Sequence, residues 1–269
     1  MRNHPPVSLL AVKLLLAPSF VVGASLAARR FGARIGGLVA GLPVVAGPIV
    51  LVYALSHGAA FAAGAAAGTL LGLVSLIAFV VVYARVAGRR FWAASLLAGW
   101  LAFALGTAAF STVSLPAGAA LAVAGAGLLA GLLLLPRAGG APPTHGPPPA
   151  WDLPVRAACA LALVLTLTTV AGWLGPQLSG LLAPFPIIAT VLATFTHAQH
   201  GTDELLRLLR GLISGFGAFA LFFFTLAVAL PNMEIAAAFA LATALALLAQ
   251  AAIFVLVRGE PAPTPIPEI

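Results

Sequence analysis

The sequence predicts an all-α polytopic membrane protein: two inverted four-helix repeats joined by a central helix. Composition, an internal duplication and the placement of arginine predict it. Hydrophobic residues make up 62% of the 269 and charged residues 7%, against about 25% charged in a typical soluble domain. A soluble chain of this length could not hide so much apolar surface, so the solvent is a bilayer. The net charge of +7 does not point to nucleic acid, because the arginines lie in short clusters between apolar runs.

The duplication is read from one constant offset. His57-Gly58 and His200-Gly201 are 200 − 57 = 143 positions apart, and so are Pro43 and Pro186 (186 − 43 = 143). In the same ungapped register Gly37 meets Gly180, Ala46 meets Ala189, Gly68 meets Gly211 and Gly72 meets Gly215. Apolar chains align by chance on Ala and Leu, but rarely on Pro, His and a run of Gly together. The chain therefore contains two copies of one unit.

Crossing roughly 30 Å of hydrocarbon takes about 20 apolar residues, and by that ruler the chain holds about nine spans. They lie near 7–28, 35–56, 59–84, 91–112, 116–135, 155–174, 178–199, 204–230 and 233–257. The first resembles a signal peptide, but Lys13 interrupts it and it belongs to the duplication, so a retained helix is expected. Residues 1–112 form the first repeat and 154–258 the second. Residues 113–153 hold the central helix and a Pro/Gly-rich loop, and 259–269 read as a disordered tail.

Arg29, Arg30, Arg34, Arg85, Arg89, Arg90, Arg137, Arg156, Arg207, Arg210 and Arg258 all fall on one side if the N-terminus is outside. The opposite loops, SHG, STVSLP, WLGPQ and PNME, carry no Lys or Arg. This separation predicts an inner (plasma) membrane protein of bacterial type with a cytoplasmic C-terminus. Only Arg2 and Lys13 oppose it. Four spans plus one linker span make an odd number of crossings between copies, so the second copy is expected upside down.

The second span of each copy carries the candidate site. Pro43 and Pro48 lie in one copy, Pro184 and Pro186 in the other. Proline removes a backbone donor and clashes with the preceding turn, so both spans should break. In lipid a broken helix persists only inside the bundle or against water, so the two breaks are expected to cross near a pseudo-axis. Thr190, Thr194 and His197 share one helix face, flanked by Thr196. Tyr53 stands at the position of Thr196 in the first copy, and Ala54 at that of His197. The polar stripe suggests a wet cavity or, more plainly, interhelical hydrogen bonds.

His57 and His200 suit the last turn of a helix ended by glycine, and their sharper reading is a pair of gates. Asp203 and Arg207, four apart, are expected to pair at the cytoplasmic mouth. No acid lies in the middle of a span, which favours a neutral or anionic solute over a cation. No metal and no cofactor are expected, and a metal reading of His197, His200 and Asp203 fails because Gly201 breaks the helix between them. The Gly64, Gly68, Gly72 ladder and its copy Gly211, Gly215 read as close packing, with a homodimer contact on the first. Phe216, Phe219, Phe222, Phe223 and Phe224 suggest contact with lipid or a partner.

In general plan the chain resembles inverted-repeat secondary transporters. That resemblance implies a carrier or facilitator for a small neutral or anionic solute, or a lipid-like molecule, and implies no particular residues. A passive channel and a non-transport scaffold or accessory subunit are the alternatives. Catalysis is not expected: Gly211-Leu-Ile-Ser214-Gly215 is one residue too long for a GxSG turn, and dinucleotide and Walker signatures are absent.

Overall fold

The structure is a computed structural model. It describes the backbone of residues 7–139, 149–181 and 184–258, and the side chains of 17–139, 149–166 and 184–256. Lys13, Gly180 and the tail lie outside the described side chains. Every described element is a helix. In chain order they are α1 (Val7–Phe31), α2 (Ala33–Ala40), α3 (Ala46–His57), α4 (Ala59–Ala87), α5 (Trp92–Phe110), α6 (Ala117–Leu134), α7 (Asp152–Leu181), α8 (Ile187–Ala229) and α9 (Ile235–Arg258).

Long apolar runs form helices because a helix satisfies its own backbone in a medium that cannot. Among the described residues five helices are long and apolar enough to cross a bilayer: α4, α5, α6, α8 and α9. Of the nine expected spans, those at 7–28 and 155–174 fall partly outside the described side chains, and others differ for local reasons. The run 35–56 is two half-helices, α2 and α3, separated by Gly41 to Val45. The run 178–199 is likewise divided, between the end of α7 and the start of α8, and the spans expected at 178–199 and 204–230 both fall in α8, on either side of a bend at Gly201.

Helix limits recur at the offset of 143 (200 − 57). α3 ends at His57 before Gly58, and the first part of α8 ends at His200 before Gly201. Gly58 has φ 88 and ψ 166; Gly201 has φ 78 and ψ −175. That region is open essentially to glycine alone, so each His-Gly pair marks an obligatory bend. α5 and α9 begin at equivalent positions, 92 and 235 (235 − 92 = 143).

Burial sorts the helices into a centre and a shell. Of the most apolar window, 72% is buried in α8 and 67% in α4, against 22% in α5, 17% in α6 and 11% in α9. α4 and α8 form the centre and the other three face outward. The phenylalanines of α8 therefore sit inside rather than toward lipid: Phe216, Phe219, Phe222 and Phe223 are buried, and Phe219 and Phe222 each pack against the Phe223 ring. Apolarity could not tell these two surroundings apart, because lipid and protein interior are equally greasy.

α2 lies across α8 with backbone against backbone. A methyl on Gly37 would stand 1.9 Å from the Leu208 carbonyl oxygen, and one on Gly211 would stand 1.9 Å from that of Arg34. Gly41 and Gly215 meet one turn further on. The glycine ladder of α8 thus receives the half-helix α2. On α4, Gly64 and Gly68 have nothing within 4 Å of where a methyl would stand.

Candidate functional site

Both chain breaks line one small cavity. Gly41, Leu42, Pro43 and Val45 face it from the first break, and Pro184, Phe185 and Pro186 from the second. Leu76 of α4 and Leu212, Phe216 and Phe219 of α8 close it. Its volume is about 50 Å³, enough for a few waters by the measure of about 10–15 Å³ each. No charged side chain lines it.

Pro43 and Pro186 do similar local work at the two breaks. The Pro43 carbonyl accepts from Gly47 N at 2.9 Å, and the Pro186 carbonyl accepts from Thr190 N at 2.7 Å. Gly47 and Thr190 are equivalent positions (190 − 47 = 143). Pro186 caps α8 and Pro43 stands just before α3, so neither needs a donor of its own there. The positive ends of α3 and α8 and the negative end of α2 all meet the cavity. Pro48 differs from expectation. It is the third residue of α3, where a missing N–H costs nothing, and it does not line the cavity.

The polar stripe of α8 faces elsewhere. Thr190 is buried, and its Oγ1 accepts from Trp100 Nε1 at 3.0 Å. Trp100 and Phe103 of α5 both pack on Phe185, at ring distances of 6.1 and 5.4 Å. α5 thus braces the second break. One turn on, Thr194 lies against the Tyr83 hydroxyl of α4, and the His197 ring meets the Tyr83 ring edge-on at 6.0 Å. The Tyr83 hydroxyl, Thr194 Oγ1 and His197 Nδ1 are all buried, and none reaches hydrogen-bond geometry. Thr196 is buried as well. Buried polar atoms left so cost about 1–3 kcal/mol each, and here three of them, from α4 and α8, stand side by side.

The remaining expected residues are dispersed. Tyr53 packs against Phe61 at 5.6 Å, and His57 stacks on the same ring at 4.8 Å, in an exposed aromatic group away from the cavity. His200 is half-buried beside the Gly201 bend. The pair expected between Asp203 and Arg207 is replaced: Arg207 pairs with Glu204, and Asp203 Oδ1 accepts from Gly139 N at 3.0 Å. These contacts tie the stretch after α6 onto the start of the second part of α8.

Sequence reasoning missed a buried ionic group. Asp152 opens α7 with its side chain fully buried. It accepts from Arg29 Nη2 at 2.7 Å, Arg156 Nε at 2.9 Å and Gln199 Nε2 at 2.8 Å. Arg156 also lies over the Phe195 ring at 4.9 Å. One carboxylate thereby joins the end of α1, the start of α7 and the first part of α8. The i, i+4 spacing of Asp152 and Arg156 was the visible sign. Their position after a Pro/Gly-rich loop made them look solvated.

No protein-family model, no curated protein and no solved structure matches this chain.

Proposed function

We propose that the chain is a membrane carrier or facilitator whose solute passes at the crossing of its two broken helices. The convergence of Pro43, Pro184 and Pro186 on one cavity carries the reading. Irregular backbone at membrane depth is tolerated where it is enclosed by protein or lines a pathway, and matched breaks in two repeats mark transport sites. The recurring helix limits support two copies of one unit, and the sided arginines support an inverted pair with the N-terminus outside. The cavity as it stands is too small for a solute larger than a few waters. Passage therefore requires the two copies to part, which suits alternating access better than an open channel. Apolar walls, helix ends in place of charged side chains and the absence of a lining carboxylate favour a small neutral or anionic solute.

Proteoliposomes containing the full chain and a small-molecule cell extract test this. Mass spectrometry of the two compartments should find a solute that crosses saturably. Crossing should fail in Ala189→Leu, which fills the cavity between the breaks. Ohmic conductance without saturation would make the protein a channel. The absence of any crossing solute would leave a scaffold.

A further inference from the structure

At one end of the molecule α4, α6 and the second part of α8 surround an open cleft of about 720 Å³. That is ample for a small ligand, for which about 300–1,000 Å³ is usual. Arg85, Arg89, Arg137 and Arg210 line it, and no carboxylate does. Arg85 Nε donates to the Leu134 carbonyl at 3.2 Å, and Arg210 Nη2 to the Leu135 carbonyl at 3.4 Å. These bonds satisfy the last turn of α6 and fix where two guanidinium groups stand. Arg89 and Arg137 follow the ends of α4 and α6. Both are exposed, and no described carboxylate pairs with either.

The rim is apolar. Leu133 and Leu134 form part of the wall and are 75% and 49% exposed; Leu129, one turn back on α6, is 61% exposed. The cleft is thus lined by arginines and, along α6, by a leucine face of an outward-facing helix. A rule of sided charge explains arginines at this level. It does not explain four of them around one cleft with a greasy rim. A soluble anion would need the arginines and have no use for the leucines.

We infer that this cleft holds the phosphate headgroup of an anionic phospholipid, with its acyl chains along Leu129 and Leu133. Guanidinium forks match phosphate oxygens two at a time, and basic pockets between membrane helices take such headgroups. The site is separate from the proline cavity, so it stands whether or not the chain is a carrier.

The test uses the full chain in nanodiscs of equal phosphatidylcholine and phosphatidylglycerol, released into mild detergent and weighed by native mass spectrometry. Phosphatidylglycerol should be retained in preference to phosphatidylcholine. The double variant Arg89→Gln, Arg137→Gln should retain it roughly thirtyfold less well. Arg30→Gln, an exposed arginine outside the cleft, should change nothing. Leu133→Gln, which leaves every arginine in place, should weaken retention severalfold and serves if the double variant is unstable. Equal loss in Arg30→Gln, or no preference in the parent protein, overturns the inference. Inorganic phosphate that binds the parent, fails to bind the double variant and displaces no lipid would assign the cleft to a soluble anion and overturn it too.

Discussion

Single residues carry unequal weight, and burial decides which. Asp152 has no exposed side-chain surface and holds three donors. Removing one partner of a buried ion pair strands the other, at about 3–5 kcal/mol. Asp152→Ala should lower the thermal unfolding midpoint in detergent far more than Glu204→Ala, whose carboxylate is partly exposed; equal shifts would mean the group is not a joint. His197 and His57 make a second contrast. His197 lies in the buried group with Tyr83 and Thr194, whereas His57 is exposed on Phe61. In the proteoliposome assay His197→Ala, which disturbs the packing of α8 on Tyr83, should slow crossing more than His57→Ala; equal rates would mean that the Tyr83 group has no part in crossing. The sequence drew attention to His197 because a histidine in an apolar run is conspicuous. It was silent on Tyr83, since a tyrosine there looks like one more large apolar side chain.

Among the elements, the half-helix α2 is the most dependent on its neighbour. Gly211→Ala would place a methyl 1.9 Å from the Arg34 carbonyl oxygen. Neither backbone can yield cheaply, so the loss should reach about 3 kcal/mol, the upper end of ordinary overpacking. The equivalent Gly68→Ala meets nothing within 4 Å and should be neutral or stabilise by up to about 1 kcal/mol, the ordinary helix preference for alanine. Paired melting curves check both, and matching losses would refute the asymmetry. Gly201→Ala should cost about 1–3 kcal/mol for its backbone region alone. Proline and the His-Gly bends were legible in the sequence because each has a purely local cause: a missing donor, a missing Cβ. The partner of the Gly211 ladder was not, because small residues announce a close approach without naming who approaches. The outward reading of Phe216 and Phe219 failed for a related reason, as hydropathy carries no direction inside a membrane.

For the molecule as a whole, the proposed inverted arrangement has a direct test. In a Cys159→Ala background, cysteine in place of Ser56 should react with an impermeant thiol reagent from outside, and cysteine in place of Ala198 only from inside. Both positions are exposed, so reaction from the same side would refute the flip. The two halves of the chain are interleaved rather than separate, since α2 lies on α8 and Asp152 ties α7 to α1. Residues 1–145 made alone should be unstable, and co-expression with 146–269 should restore a detergent-stable pair.

The seat of α2 also bears on the order of events during synthesis. This half-helix leaves the ribosome long before the stretch of α8 it must lie against has been made. Until then Gly37 and Gly41 have no neighbour on one side, and the first break stands without its counterpart. Final closure therefore belongs to the last moments of biogenesis, and a nascent chain halted after α6 would present membrane proteases with an unfinished surface.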